Sequence, residues 1–152
     1  SIAQRLAHQF GEPIATPWPE LSRLFPTAKA LAEASGDDLG ALGIVRQRQS
    51  AIKAIAVAVS EGKLRLAPGE DPETTMAALR ELPGIGDWTA QYIAMRALRS
   101  PDAFPAGDVA LQSALGIARG NSAARDALEA SQVWRPWRSY AVMRTWAGLA
   151  RS

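Results

Sequence analysis

The chain has 152 residues, 47% hydrophobic and 21% charged, with no cysteine and one histidine, His8. This composition excludes a disordered tail, disulfides, cysteine-held zinc, iron–sulfur clusters and thiol nucleophiles, and it argues against histidine-based metal sites and triads. The net charge of +2 is uneven: residues 1–118 carry 11 Lys and Arg against 13 Asp and Glu, whereas residues 119–152 carry Arg119, Arg125, Arg135, Arg138, Arg144 and Arg151 against Asp126 and Glu129. A basic tail on an acidic body points to a polyanion partner, or to a solvated helical surface.

Thirty alanines and few β-branched runs predict helix throughout. Ile2, Leu6 and Phe10 recur at spacing four, and Gly11 with Pro13 stops that helix. Pro19 is expected to open a short helix through Phe25. Thr27 caps the next, which Gly36 ends, and Asp37 to Leu42 adds a turn. Val45 to Glu61 is the longest uninterrupted pattern. Asp71-Pro72 reads as an N-cap followed by proline in the first turn, with helix to about Glu81. Further helices are expected from Asp87 to Leu98, Asp108 to Ile117, Ser122 to Ala130, and Pro136 to about Ala150. The class is all-α, in one domain over 1–152 with two helical lobes, 1–107 and 108–152, sharing a cleft. The longest apolar stretch, Ile52 to Val59, is interrupted by Lys53 and is too short to span a bilayer, so no membrane partner is expected. No signal segment opens the chain. The first residue is not Met, which suggests a fragment or a processed product.

Three segments carry chemistry. In Leu82-Pro83-Gly84-Ile85-Gly86-Asp87-Trp88 the paired glycines allow a sharp turn and close backbone approach. Amides of that turn and of the following helix N-terminus can bind a phosphate without side chains; an ordinary helix–helix turn has the same residues. In Pro101-Asp102-Ala103-Phe104-Pro105-Ala106-Gly107-Asp108 the aspartate sits at a helix N-cap, which favours its ionised form. The stiff apolar approach suits a carboxylate held in a cleft. The run Trp134-Arg135-Pro136-Trp137-Arg138-Ser139-Tyr140, continuing through Arg144 to Trp146, interleaves aromatic rings with arginines, as base stacking and phosphate contact require. Alternatively this helix clamps the core with its aromatic face, the reading favoured for Trp137 and Tyr140; spacing leaves Trp146 open. Asp87 reads as a helix cap, Asp102 as a loop carboxylate and His8 as a surface or packing residue. Arg46, Arg48 and Lys53 face either DNA or water.

The hairpin at 82–88 and the loop ending in Asp108, 22 residues after Gly86, resemble those of the helix-hairpin-helix DNA glycosylase superfamily. Phe10-Gly11-Glu12-Pro13, Trp88-Thr89-Ala90-Gln91-Tyr92 and the Trp134–Tyr140 run resemble its bacterial AlkA-type DNA-3-methyladenine glycosylase II subfamily, over essentially the whole chain. The resemblance implies a base-excision repair enzyme that flips an alkylated base, such as 3-methyladenine or 7-methylguanine, out of double-stranded DNA and hydrolyses its N-glycosidic bond. It assigns Asp108 to transition-state stabilisation, Trp88, Tyr92 and Trp146 to the base pocket, and Pro83, Gly84, Ile85 and Gly86 to the DNA backbone. It further implies a monovalent cation, Na⁺ or K⁺, on main-chain carbonyls of Arg80, Leu82 and Ile85, no other cofactor, a monomer, and a bacterial cytoplasmic protein acting on the nucleoid. Bifunctional relatives place a lysine two residues after the last hairpin glycine; Trp88 stands there, implying a monofunctional enzyme.

Two departures stand out. The family's upstream helices and its apolar wedge are not in this sequence, and Val109 follows Asp108 where the subfamily often has an aromatic residue. The chain is therefore expected to be the C-terminal piece of a longer enzyme, one fused to an alkylation-response domain, and to be weakly active alone. Two rivals remain. A noncatalytic helix-hairpin-helix DNA-binding module would need the hairpin but not Asp108. A plain helical interaction domain would show no salt-sensitive DNA binding.

Overall fold

Helices start where the sequence supplies caps. The structure, a computed structural model, describes residues 1–150; Arg151, counted above in the basic tail, and Ser152 lie outside them. The chain divides into two compact units, residues 1–65 with 82–84, and residues 66–81 with 85–152.

In the first unit, Ser1 caps α1 (Ile2–Phe10), Thr27 caps α2 (Ala28–Glu33) and Ser35 caps α3 (Gly36–Ala41), each side chain accepting from an amide three residues on. The long pattern becomes α4 (Arg46–Ser60). Leu6, Leu31, Ala34, Leu39, Ile44 and Ala56 form the core, with Ile52 and Phe10 packed against it. Lys53 is half-buried. Its Nζ donates to the Ala34 carbonyl at 2.6 Å, closing the C-terminal end of α2.

The helix expected from Pro19 to Phe25 is absent. Thr16 intervenes: its hydroxyl donates to the Leu21 carbonyl at 2.8 Å and accepts from the Trp18 amide at 3.2 Å. A short hydroxyl side chain thus offers the backbone an alternative to helix. Residues 13 and 23 pair instead as an isolated antiparallel bridge. Trp18, Leu21, Leu24 and Phe25 are left exposed.

The second unit holds α5 (Pro72–Arg80), α6 (Asp87–Arg96), α7 (Val109–Ala114), α8 (Ala123–Ala130), a 3-10 turn over Ser131–Trp134, and α9 (Arg138–Leu149). Asp71 caps α5 and Asp108 caps α7, as the sequence predicts. α7 ends three residues earlier than expected, and Gly116 follows in the left-handed region at φ 70°. Leu79, Ala90, Ala94, Phe104, Leu111, Ala127 and Val142 make the core. Among the described residues the fold is all-α, with no strand beyond the isolated bridge and no helix long and apolar enough to cross a membrane.

Candidate active site

Asp108 stands at the junction of a rigid loop and a helix, so its position follows from what fixes each. As N-cap of α7 it accepts the Leu111 amide on Oδ1 at 2.7 Å. Two indoles complete the shell: Trp88 Nε1 donates to Oδ2 at 2.8 Å, and Trp146 Nε1 to Oδ1 at 3.3 Å. A carboxylate oxygen has about two acceptor positions. Oδ1 is therefore filled, and Oδ2 keeps one position free for water or substrate.

The same indoles belong to an aromatic array. Trp88 and Tyr92 are one turn apart on α6 and stack at 5.2 Å with an interplanar angle of 11°. Tyr92 meets Trp146 of α9 at 5.9 Å, tilted by 38°. Trp88 and Tyr92 keep 40% and 37% of their surface in solvent. Half-exposed rings beside a carboxylate offer a stacking surface that the protein's own core does not use. The structure thus brings Asp108, Trp88, Tyr92 and Trp146 together.

The loop before Asp108 is held from three sides. Gln91, on α6 beside Tyr92, accepts the Phe104 amide at 3.0 Å on its Oε1. Buried Gln112 donates to the Ala106 carbonyl at 2.7 Å. Ser139, at the start of α9, donates its hydroxyl to the Ser100 carbonyl at 2.7 Å and its amide to the Pro101 carbonyl at 2.9 Å. Phe104 and Pro105 are fully buried.

Asp102 is more than a loop carboxylate. Arg138 grips it with Nε at 2.7 Å and Nη2 at 2.8 Å, and Arg135 Nη1 adds a contact at 3.1 Å. The Arg138 hydrogen bond holds the Asp102 carboxyl below its usual range. Sequence reasoning missed this role; the available signal was an arginine inside the Trp134–Tyr140 run that matches the family. That run also corrects another expectation. Trp137 and Tyr140 do not clamp the core: they are 58% and 63% exposed, while Arg138, Ser139 and Val142 face inward. The polar residues are buried because the loop carbonyls and Asp102 give them partners.

The hairpin residues divide by the two units. Gly84, in the first, has φ 79°, and a Cβ there would lie 3.2 Å from Ala51 Cβ and 3.3 Å from the Gln47 carbonyl. Both strain and space require glycine. Gly86, in the second, is the extended N-cap of α6 and provides no side-chain cap; a Cβ on it would meet open space. The first-turn amides of α6 stay available to an external acceptor. Asp87 does not cap them. It accepts Arg80 Nε at 3.0 Å and Nη2 at 2.6 Å, correcting the expected role. Pro83 is exposed and Ile85 buried. Among the described residues the carbonyls of Arg80, Leu82 and Ile85 accept no hydrogen bond.

Residues 1–139 match the sequence profile of the family described as HhH-GPD superfamily base excision DNA repair protein. The chain belongs to that family. Among similar HhH-GPD proteins, the "Probable bifunctional transcriptional activator/DNA repair enzyme AlkA" of Mycobacterium tuberculosis is 40% identical over 97% of this chain and 29% of its own length. The "DNA-3-methyladenine glycosylase 2" of Escherichia coli is 35% identical over 95% of this chain and 49% of its own. This chain therefore spans half or less of these relatives. The apo 8-oxoguanine glycosylase/lyase of Clostridium acetobutylicum superposes with a TM-score of 0.77 at 17% identity, covering 95% of this chain and 52% of that one. That likeness shows the HhH-GPD fold.

Proposed function

We propose that this HhH-GPD chain is the catalytic part of a monofunctional DNA glycosylase that releases alkylated bases of the 3-methyladenine and 7-methylguanine type from double-stranded DNA. The observation that carries the reading is the Asp108 carboxylate fixed by two indoles of a half-exposed aromatic array. The names of the M. tuberculosis and E. coli relatives support it.

In this mechanism the target nucleotide is flipped out, because its glycosidic bond is unreachable inside the stack. A ring-methylated base is cationic and stacks on the electron-rich faces of Trp88, Tyr92 and Trp146. The C1′–N bond breaks with both electrons leaving on the base, which departs neutral. The sugar is left as an oxocarbenium ion, and the Asp108 carboxylate, already oriented, stabilises it without reorganisation. Water adds at C1′ and loses a proton; the free acceptor position on Oδ2 is where that water can be held. Amides of Gly86 and the α6 first turn hold a backbone phosphate. Trp88 at the position of a bifunctional relative's lysine leaves no amine for a Schiff base.

We further propose that the parent protein acts as a monomer on nucleoid DNA in the bacterial cytoplasm. The M. tuberculosis relative is matched over 29% of its own length, and the parent of this chain would likewise be longer. The test is single-turnover release of methylated bases from alkylated duplex DNA by the parent protein, wild type against Asp108→Asn. Loss of release with retained duplex binding supports the reading. Unchanged release assigns the chain to a noncatalytic DNA-binding module.

A further inference from the structure

The stripe on α6 that begins in the aromatic site ends in a charge. Trp88, Tyr92 and Arg96 follow at spacing four, so they share one helix face. Tyr140, Met143 and Trp146 follow at spacing three on α9. The two stripes meet twice, at Tyr92–Trp146 (5.9 Å) and at Arg96 Nη1–Met143 Sδ (3.7 Å). At the second meeting lies a cavity of about 280 Å³, lined chiefly by Met95, Arg96, Arg99, Pro101, Tyr140 and Met143. It lies about 12 Å along α6 from Trp88, at 1.5 Å per residue.

Three features of this cavity are unexplained by the base-excision chemistry. First, neither arginine pairs with a carboxylate among the described residues: Arg96 reaches only the Met143 thioether, and Arg99 makes no ion pair. Second, Met95, Pro101 and Met143 give much of the lining an apolar character, beside Ser100 and Ser139. Third, Trp137 and Tyr140 form an edge-on pair at 5.9 Å and 61° that stays largely in solvent. Exposed Trp, Tyr, Arg and Met together are the composition of an interaction hot spot rather than of ordinary surface.

We propose that this cavity is a docking site for an acidic peptide segment of a partner protein. The segment's carboxylates pair with Arg96 and Arg99, one apolar side chain fills the cavity over Met95 and Met143, and Trp137 with Tyr140 packs along its backbone. The unpaired positive charge selects an acidic partner, and the Met95, Pro101 and Met143 carbons in the open cavity suit an aliphatic or aryl side chain. Occupancy does not require Asp108, so the site stands apart from the base-excision reading.

The test is fluorescence anisotropy with a fluorescein-labelled peptide Asp-Asp-Asp-Leu-Phe, its Asn-for-Asp counterpart, and a short labelled oligo(dT). The acidic peptide is expected to bind, more weakly as salt rises. The double variant Arg96→Glu/Arg99→Glu should weaken it by about tenfold or more, a loss of about 1.4 kcal/mol or more, with an unchanged melting temperature. Tyr140→Ala should weaken both peptides. Equal affinity for the acidic and Asn peptides, or no effect of the charge reversal, overturns the proposal. So does oligo(dT) binding more tightly than the peptide and losing that binding in the double variant, which would make the site a nucleic-acid contact.

Discussion

Replacing Asp108 by Asn separates the carboxylate's charge from its role as a cap. Asn caps a helix N-terminus about as well as Asp, so the Leu111 amide, at 2.7 Å from Oδ1, keeps its acceptor if the amide oxygen turns that way. The amide NH2 then replaces Oδ2 and points at Trp88 Nε1–H, which lies 2.8 Å from that oxygen in the wild type. Two donors face each other, and one N–H loses its partner. An unsatisfied donor costs about 1–3 kcal/mol, towards the low end where, as here, the ring is part-exposed. A loss of about 1 kcal/mol corresponds to roughly 2–4 °C in melting temperature for a chain of this size. Catalysis should suffer far more. Losing one preorganised stabilising group at a developing charge costs about 10²–10³-fold in rate, and removing a full negative charge beside an oxocarbenium ion should reach at least that. Melting curves on this chain, and single-turnover base release on the parent protein, are to be measured for Asp108→Asn, Trp88→Phe and the double variant. The Phe ring removes the opposing donor, so the double variant should melt higher than the two single losses would sum to. Wild-type release by Asp108→Asn, with a melting temperature lowered as described, would refute the catalytic assignment and leave Asp108 as a cap alone.

The hairpin glycines should respond differently. Gly84→Ala should lower stability by about 1–2 kcal/mol, from left-handed strain and contact with Ala51, measurable by urea titration, whereas Gly86→Ala should leave stability within about 0.5 kcal/mol yet weaken duplex binding and flatten its salt dependence. Arg138→Ala should cost about 1–3 kcal/mol by leaving the part-buried Asp102 with only Arg135 as a partner. Because the folded Asp102 carboxyl titrates below its ordinary value, its contribution is complete above the unfolded-state value and disappears as pH falls through the folded one. Stability below about pH 4 should therefore fall more steeply in the wild type than in Asp102→Asn. Borohydride should trap no protein–DNA adduct, and a trapped adduct would refute the monofunctional assignment. Gln91→Leu should reduce base release about tenfold with little loss of duplex binding, since positional errors at the reacting groups act on rate.

Much of the site was legible because its signals are local. Asp71-Pro72 and Asp108 declare helix starts within three residues, and Gly84 declares a turn. The resemblance supplied Trp88, Tyr92 and Trp146, which no spacing argument could bring to one carboxylate across 38 residues. What was misread depends on competition or on facing. Thr16 captures a backbone that Pro19 would otherwise start into helix. Trp137 and Tyr140 look like core by type, but Arg138 and Ser139 take the inward positions because Asp102 and the loop carbonyls satisfy them. The Asp102–Arg138 pair spans 36 residues, and a charge pattern alone does not name partners at that distance.

α6 reconciles two opposite electrostatic demands. A flipped nucleotide presents a negative phosphate and, in the transition state, a positive sugar. The N-terminal turn of α6 offers uncapped amides and the positive end of the helix dipole to the first. Trp88, in that same turn, donates to the Asp108 carboxylate, which in the proposed mechanism would meet the second. One rigid helix therefore fixes both donor and carboxylate, and its Gln91 holds the loop that delivers Asp108. In the proposed mechanism backbone geometry, rather than flexible side chains, would set the spacing between the phosphate and the sugar sites. In the proposed mechanism the open space that a Cβ on Gly86 would occupy is where the phosphate would approach.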